Sequence, residues 1–253
     1  MTSSASSRVA IIFGSGSNVG AALAKGFLGA GYRVATVSRS AAPPSGDPTS
    51  NNNNNNNNNP VHIQADLTDP AAAPGALARL TSSGWPFPSV IVWNAAALTP
   101  PGSSDPQNPF AIPGDAFDRD VGLMVKSPFV VAGEAVKAWK EKGEGEEGSG
   151  GGGRKGTFIM TGNMTPRRIF PPALTTLGVG KSGANYWVGT ADAAFKGKGI
   201  RFFFADERSP DGGPVGNKPN GESTTEMYLK LIEGKEDYPY YVTFFDGKYH
   251  EFN

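Results

Sequence analysis

The chain has 253 residues, 38% of them apolar, and its 23 basic and 23 acidic side chains cancel to a formal net charge of zero. That balance supplies no bulk attraction to nucleic acid or to an anionic membrane. Cysteine is absent, which excludes disulfides and zinc–thiolate sites and fits a reducing compartment, and two histidines, His62 and His250, are too few for a multi-histidine metal site. The length suits a single α/β domain over residues 1–253, with low-complexity insertions at about 41–60 and 141–155. Arg8 precedes only five apolar residues before Gly14, too few for a secretory h-region, and no run approaches the roughly 20 apolar residues of a spanning helix. The expectation is a cytoplasmic protein with neither a membrane nor a nucleic-acid partner.

A polar tail, Met1 to Ser7, leads into Val9–Phe13, a short β-branched and apolar run that reads as a buried parallel strand. Gly14, Gly16 and Gly20 follow, and Val19, Leu23, Phe27 and Leu28 then fall at helical spacing. Gly29 and Gly31 end that helix, and Tyr32 to Val37 reads as a second strand. Strand, glycine turn, helix and strand within about 30 residues is the setting in which glycines signal a dinucleotide site. They let the backbone turn tightly and approach a pyrophosphate, while the free N–H groups and dipole of the helix start favour its negative charge. The second strand ends at Ser38-Arg39, where an NAD-specific site would place a carboxylate for the ribose 2′-hydroxyl. Arginine instead complements a 2′-phosphate, which points to NADP(H) over NAD(H).

Prolines and nine consecutive asparagines make Ala41 to Pro60 a surface insertion without core-forming residues. Val61 to Gln64 reads as a third strand; Thr68 or Asp69 before Pro70 caps a helix running to Leu80. Ser89 to Trp93 is a fourth strand, followed by a proline-rich loop from Leu98 to Pro113. A helix spans Phe117 to Lys142, with a kink expected at Pro128, and Glu141 to Lys155 reads as a glycine-rich loop. Gly156–Thr161 and Ile200 to Ala205 are the fifth and sixth strands, and Glu222 to Glu233 is a helix. Tyr240 to Phe245 makes a seventh, inside an aromatic tail that packs on the chain itself or on a partner subunit. Asp206-Glu207-Arg208 lies at the carboxyl end of the sixth strand, where ligands bind in open α/β sheets. Two readings stand: a polar catalytic cluster, or a surface ion-pair network.

The G-x-G-x-x-G pattern would require glycine at Val19. Gly14-Ser15-Gly16-Ser17-Asn18-Val19-Gly20 instead resembles the G-x-x-x-G-x-G turn of the short-chain dehydrogenase/reductases, with Asn18 for the middle glycine, a residue that tolerates left-handed backbone angles. The resemblance extends from about Val9 to Phe245. It implies a Rossmann-like, doubly wound parallel sheet of about seven strands that binds NADP(H). It also implies that Asp66 and Leu67 contact the adenine, and that Asn94-Ala95-Ala96, similar to the family's N-N-A-G, passes the cofactor ribose. Phe117-Asp118 matches the family's helix opening, but Met124 stands where its relay Asn would be.

The catalytic Ser position falls at Asn163, within a residue, with the hydroxyls of Thr161 and Thr165 nearby. Residues 161 and 163 share a face if the strand continues that far. Lys181 matches the lysine of Y-x-x-x-K, which binds the nicotinamide ribose and lowers the tyrosine pKa, but Leu177 occupies the tyrosine position and cannot move a proton. Tyr186 lies nine residues beyond Leu177, on another helix face. The family's Pro-Gly after the sixth strand is absent. The functional expectation is an NADPH-dependent reductase of a small-molecule carbonyl or imine, with Lys181, Asn163 and Thr161 in the catalytic positions. The alternatives are a non-redox isomerase or cyclase on the same fold, and a silent NADP(H)-binding regulator or scaffold. A homo-oligomer would pair through the helices near 117–142 and 174–196.

Overall fold

A computed structural model describes residues 8–41, 59–141 and 154–252. The two insertions lie almost wholly outside these residues, as does the polar amino-terminal tail.

The chain alternates strand and helix, as its hydrophobic periodicity predicts. Strands β1 (Val9–Phe13), β2 (Arg33–Ser38), β3 (Val61–Gln64), β4 (Val90–Trp93), β5 (Gly156–Thr161), β6 (Ile200–Glu207), β7 (Tyr241–Phe245) and β8 (Lys248–Tyr249) form one sheet in the order β3-β2-β1-β4-β5-β6-β7-β8. Every pairing is parallel except that of β7 with β8. The sheet therefore has eight strands, one more than expected. Asp246 at φ 50 and Gly247 at φ 66 turn the chain back on itself, so the tail adds a two-residue antiparallel edge.

The central strands bury both faces, whereas the edge strands β3 and β8 are partly exposed. Val9, Ile11 and Phe13 of β1 pack with α2 (Ala72–Ser82), α4 (Ser127–Glu141) and α5 (Thr175–Phe195). Ala10 and Ile12 pack on the opposite side with α1 (Val19–Gly29) and α6 (Gly221–Glu233). This two-sided burial is why the strand segments read as continuous apolar runs. The strand order reverses between β1 and β4, which opens the crevice at the carboxyl ends of the strands that such sheets use for ligands.

The long central helix departs from expectation. It begins with α3 (Gly114–Val121), widens into a π-helical turn over Gly122–Lys126 and continues as α4. The Ser127 N–H reaches back five residues to the Gly122 carbonyl. Pro128 has no N–H to give to Met124, and the wider turn just before it takes up the mismatch where a kink was predicted. The aromatic tail packs within the chain: Tyr241 stacks on Phe204 at 5.3 Å, and Tyr238 meets Tyr249 at 5.6 Å.

Candidate active site

The glycine turn is held by backbone geometry. Gly14 has φ +91, and a Cβ there would lie 2.5 Å from the Ala95 nitrogen. A Cβ at Gly20 would lie 2.5 Å from the Ser15 Cα. Only glycine fits either place. Gly16 differs: nothing lies within 4 Å of where its Cβ would be. Its Cβ side is open and exposed, close to the start of α1. Asn94 closes the turn from the neighbouring strand, its Nδ2 donating to the Gly14 carbonyl at 2.8 Å. Trp93, just before it, is fully buried and stacks on Phe13.

Asn18 does not use the left-handed region. Its φ is −100, and its side chain explains its presence instead: Nδ2 donates to the Pro219 carbonyl at 2.9 Å, tying the turn to the loop after β6. Glu207 fastens the same loop from the other side, its Oε2 accepting from the Asn220 N–H at 2.9 Å.

At the adenine end, Arg39 is exposed just beyond β2, and half-buried Ser38 precedes it. His62, to which the sequence reading gave no role, bridges Thr36 Oγ1 at 3.0 Å and the Ser40 carbonyl at 2.9 Å, steadying this corner. Asp66 is exposed, and its Oδ1 accepts from the Thr68 N–H at 3.0 Å and hydroxyl at 2.8 Å; these bonds hold its carboxyl below the usual carboxylate range. Leu67 is buried beside it.

A cavity of about 470 Å³ lies at the carboxyl ends of β5 and β6, lined by Val19, Asn94 and Ala96 beside the glycine turn and by Thr161, Asn163 and Lys181; the glycines of the turn do not line it. Ala95 packs against the adjoining core. Leu98, Met164, Phe170, Leu174 and Leu177 make one wall apolar. Leu177 and Lys181, one helical turn apart on α5, both face this space, whereas Tyr186 is 79% exposed and away from it. Lys181 is buried, its Nζ donating to the Thr161 carbonyl at 2.6 Å, and desolvation lowers its pKa to about 8.

The strand alternation expected at 161 and 163 does not hold, because β5 ends at Thr161. The Asn163 Oδ1 folds into a turn, accepting from the Thr165 N–H at 3.1 Å and hydroxyl at 2.6 Å. Thr161 meets a residue that the sequence reading missed: the Tyr228 hydroxyl, from α6, donates to Thr161 Oγ1 at 2.9 Å.

The 206–208 segment is not a surface network: Asp206 and Arg208 are buried, and Asp206 and Glu207 line the cavity. β6 runs through Glu207, so its alternation places Asp206 and Arg208 on the α5 side and Glu207 on the α6 side. Asp206 and Arg208 are buried, and Asp206 Oδ2 accepts from Arg208 Nε at 2.7 Å and the Tyr241 hydroxyl at 2.8 Å. The Tyr241 hydroxyl also lies 3.3 Å from the Asn163 carbonyl. Burial pushes both the Asp206 and Glu207 carboxyls upward. Nothing in the local sequence pattern marks Tyr228 or Tyr241, which read as core aromatics.

Among the described residues no cluster of three His, Asp or Glu could hold a metal ion, and no described helix is long and apolar enough to cross a membrane.

Comparison with known proteins converges on one family, although no family model matches the chain. The short chain dehydrogenase/reductase dmxR12 of Cryptosporiopsis sp. (strain 8999) is 32% identical over 253 residues, covering 96% of this chain and 93% of that protein. Among solved structures, a short-chain type dehydrogenase/reductase from Mycobacterium marinum superposes with a TM-score of 0.71 at 18% identity, covering 95% of this chain and 94% of that one. The F98L/F202L mutant of a Serratia marcescens short-chain dehydrogenase/reductase gives 0.70 at 19% identity, over 96% of this chain and 98% of that one. A short chain dehydrogenase from Leptospira borgpetersenii with bound NAD+ gives 0.68 at 17%, over 94% and 90%. This chain belongs to the short-chain dehydrogenase/reductase family.

Proposed function

We propose that this chain is an NADP(H)-dependent oxidoreductase that reduces a small apolar carbonyl or imine compound, with Lys181 as the proton donor. The observation that carries this reading is the buried Lys181 ammonium in a cavity that also reaches Val19 and Asn94, beside the glycine turn. The residues present fit a dinucleotide. Gly16 leaves room at the turn, Val19 opens α1 beside it, and Arg39 offers a guanidinium beyond β2 for a 2′-phosphate. Ser38, Asp66, Leu67, Asn94, Ala95 and Ala96 complete the proposed cofactor contacts. A family neighbour holds NAD+, which supports a nicotinamide cofactor in general.

When bound, the nicotinamide supplies the hydride. The chain's own residues do the rest. The apolar wall of Leu98, Phe170, Leu174 and Leu177 takes the substrate body and excludes water. Lys181 holds a proton at Nζ, and a pKa of about 8 keeps it protonated at neutral pH yet acidic enough to give that proton up. The carbonyl oxygen or imine nitrogen of a bound substrate would take its proton from Nζ. Leu177 stands where the family's tyrosine would, so the lysine takes over the role of acid from the residue it ordinarily assists. Thr161 fixes the lysine through its carbonyl, and Asn163 shapes the adjoining loop.

The test is a titration with NADPH and separately with NADH, followed by turnover of apolar ketones, quinones and cyclic imines with stoichiometric NADPH oxidation. Binding that prefers NADPH, together with turnover, is expected. Binding without any turnover would favour a silent sensor or scaffold, a reading that Leu177 supports. A redox-neutral product would favour an isomerase or cyclase. Failure to bind either nucleotide would sink the cofactor reading altogether.

A further inference from the structure

Among the described residues, Thr161 is hydrogen-bonded to both Lys181 and Tyr228. Its carbonyl accepts from Lys181 Nζ at 2.6 Å, and its hydroxyl oxygen accepts from the Tyr228 hydroxyl at 2.9 Å. Tyr228 is fully buried, and burial raises its pKa far above that of a free phenol. Among the described residues Thr161 Oγ1 is the one acceptor within hydrogen-bond distance of that buried hydroxyl, so Tyr228 is the donor in the pair. A threonine hydroxyl has one proton of its own besides its lone pairs. With Tyr228 occupying a lone pair, that proton must go elsewhere. The Thr161 carbonyl is already engaged by Lys181, and among the described residues Thr161 Oγ1 has no acceptor for its proton. Both Thr161 and Tyr228 line the cavity. A hydroxyl that accepts one hydrogen bond also donates its own more strongly.

We infer that the Thr161 hydroxyl, oriented by Tyr228, is a hydrogen-bond donor built to bind a carbonyl-type oxygen of a ligand in the cavity. Tyr228 is a positioning residue, acting through Thr161. Two ligands could bring such an oxygen: the reacting group of the substrate, or the carboxamide of a nicotinamide. The second source rests on the proposed cofactor; the first does not.

Tyr228→Phe and Thr161→Val each remove a hydroxyl while keeping the shape of the side chain, and Thr161→Ser keeps the hydroxyl. Three probes are titrated against each variant: NADPH, 2′-phospho-ADP-ribose (which lacks the nicotinamide) and 4-nitrophenolate, an anionic oxygen acceptor whose absorption reports its ionisation. If the donor serves the substrate, Tyr228→Phe and Thr161→Val weaken 4-nitrophenolate roughly five- to tenfold and leave both nucleotides alone. If it serves the carboxamide, NADPH weakens by a similar factor while 2′-phospho-ADP-ribose does not. In either case Thr161→Ser restores binding, and the double variant is no weaker than Thr161→Val alone. The inference is overturned if neither NADPH nor 4-nitrophenolate weakens in the variants, if all three probes weaken together, or if the two substitutions simply add. Wild-type protein that binds neither nucleotide would defeat the cofactor reading, and the 4-nitrophenolate arm would then decide the role of Thr161 alone.

Discussion

The glycine turn and the end of the site that holds Lys181 are built on different principles. At the glycine end, around β1, α1 and β2, the work is done by backbone: Gly14 and Gly20 are packed where no Cβ fits, and Gly16 is left open. At the opposite end, around β5, β6 and α5, it is done by side chains: Lys181, Thr161, Tyr228 and the buried pair of Asp206 and Arg208. A backbone site tolerates change in any residue that keeps the path of the chain, whereas a side-chain site changes its chemistry with one substitution, so fold and chemistry can separate within one molecule.

The sharpest way to break this contrast is Lys181→Met. If side chains carry the reaction end, steady-state turnover should fall by roughly 10²–10⁴ as the acid is lost, while nucleotide titration shows the glycine end still binding. The wild-type rate should decline as pH rises through about 8, because the ammonium that donates the proton is then lost. Stability runs the other way. The folded pKa of about 8 lies below the ordinary 10.5, so between these values the unfolded chain binds more protons, and the Lys181 contribution to stability rises with pH across that window. Denaturation of wild type and Lys181→Met at both limits measures it, and a difference that stays flat would contradict the burial of the ammonium.

Asp206→Ala tests whether the reaction end also holds itself together by side chains. Removing one member of a buried ion pair leaves Arg208 uncompensated, which costs roughly 3–5 kcal/mol, and the Tyr241 hydroxyl loses its acceptor at 2.8 Å. Urea denaturation should register that loss. A shift below about 1 kcal/mol would mean that water reaches the pair.

At the glycine end, Arg39 is the side chain expected to meet the 2′-phosphate. Arg39→Ala should weaken NADPH by roughly tenfold or more, the worth of a charge-assisted hydrogen bond, and leave NADH nearly unchanged. Equal loss for both nucleotides would remove the phosphate role from Arg39 and undo the preference for NADP(H).

The same division explains what was legible in the sequence. Strands and helices follow hydrophobic period, and glycine spacing follows backbone need, so both are written locally. β1, α1 and β5 could be placed from their own residues. The π-helical turn at Gly122–Lys126 could not, since Pro128 signals only that something must yield, not how. Tyr228 and Tyr241 could not either. Tyr228 meets Thr161 across 67 residues and Tyr241 meets Asp206 across 35, and in their own segments each sits among apolar neighbours and reads as core. Asp206, Glu207 and Arg208 were visible as charges, but their burial depends on β6 running two residues past its apolar stretch, Ile200 to Ala205, to pair with β7.

Asn18→Gly is the smallest change and the one that joins the two ends. It restores the glycine of the family pattern, and Asn18, at φ −100, is under no left-handed constraint, so glycine relieves no strain. What is lost is one hydrogen bond, from Nδ2 to the Pro219 carbonyl, worth about 1 kcal/mol, and glycine adds roughly 0.5–1 kcal/mol of backbone freedom in the unfolded chain. Glu207 still anchors the neighbouring Asn220 N–H, so the loop stays attached to the reaction end. The melting temperature should therefore fall by only a few degrees, about 2–4 °C for each kcal/mol in a chain of this size. The nucleotide dissociation rate is the more telling readout. An unchanged rate would mean that the loop is held by Glu207 alone; a faster one would mean that the backbone end, through the one side chain it gained in place of a glycine, also helps to close the cavity.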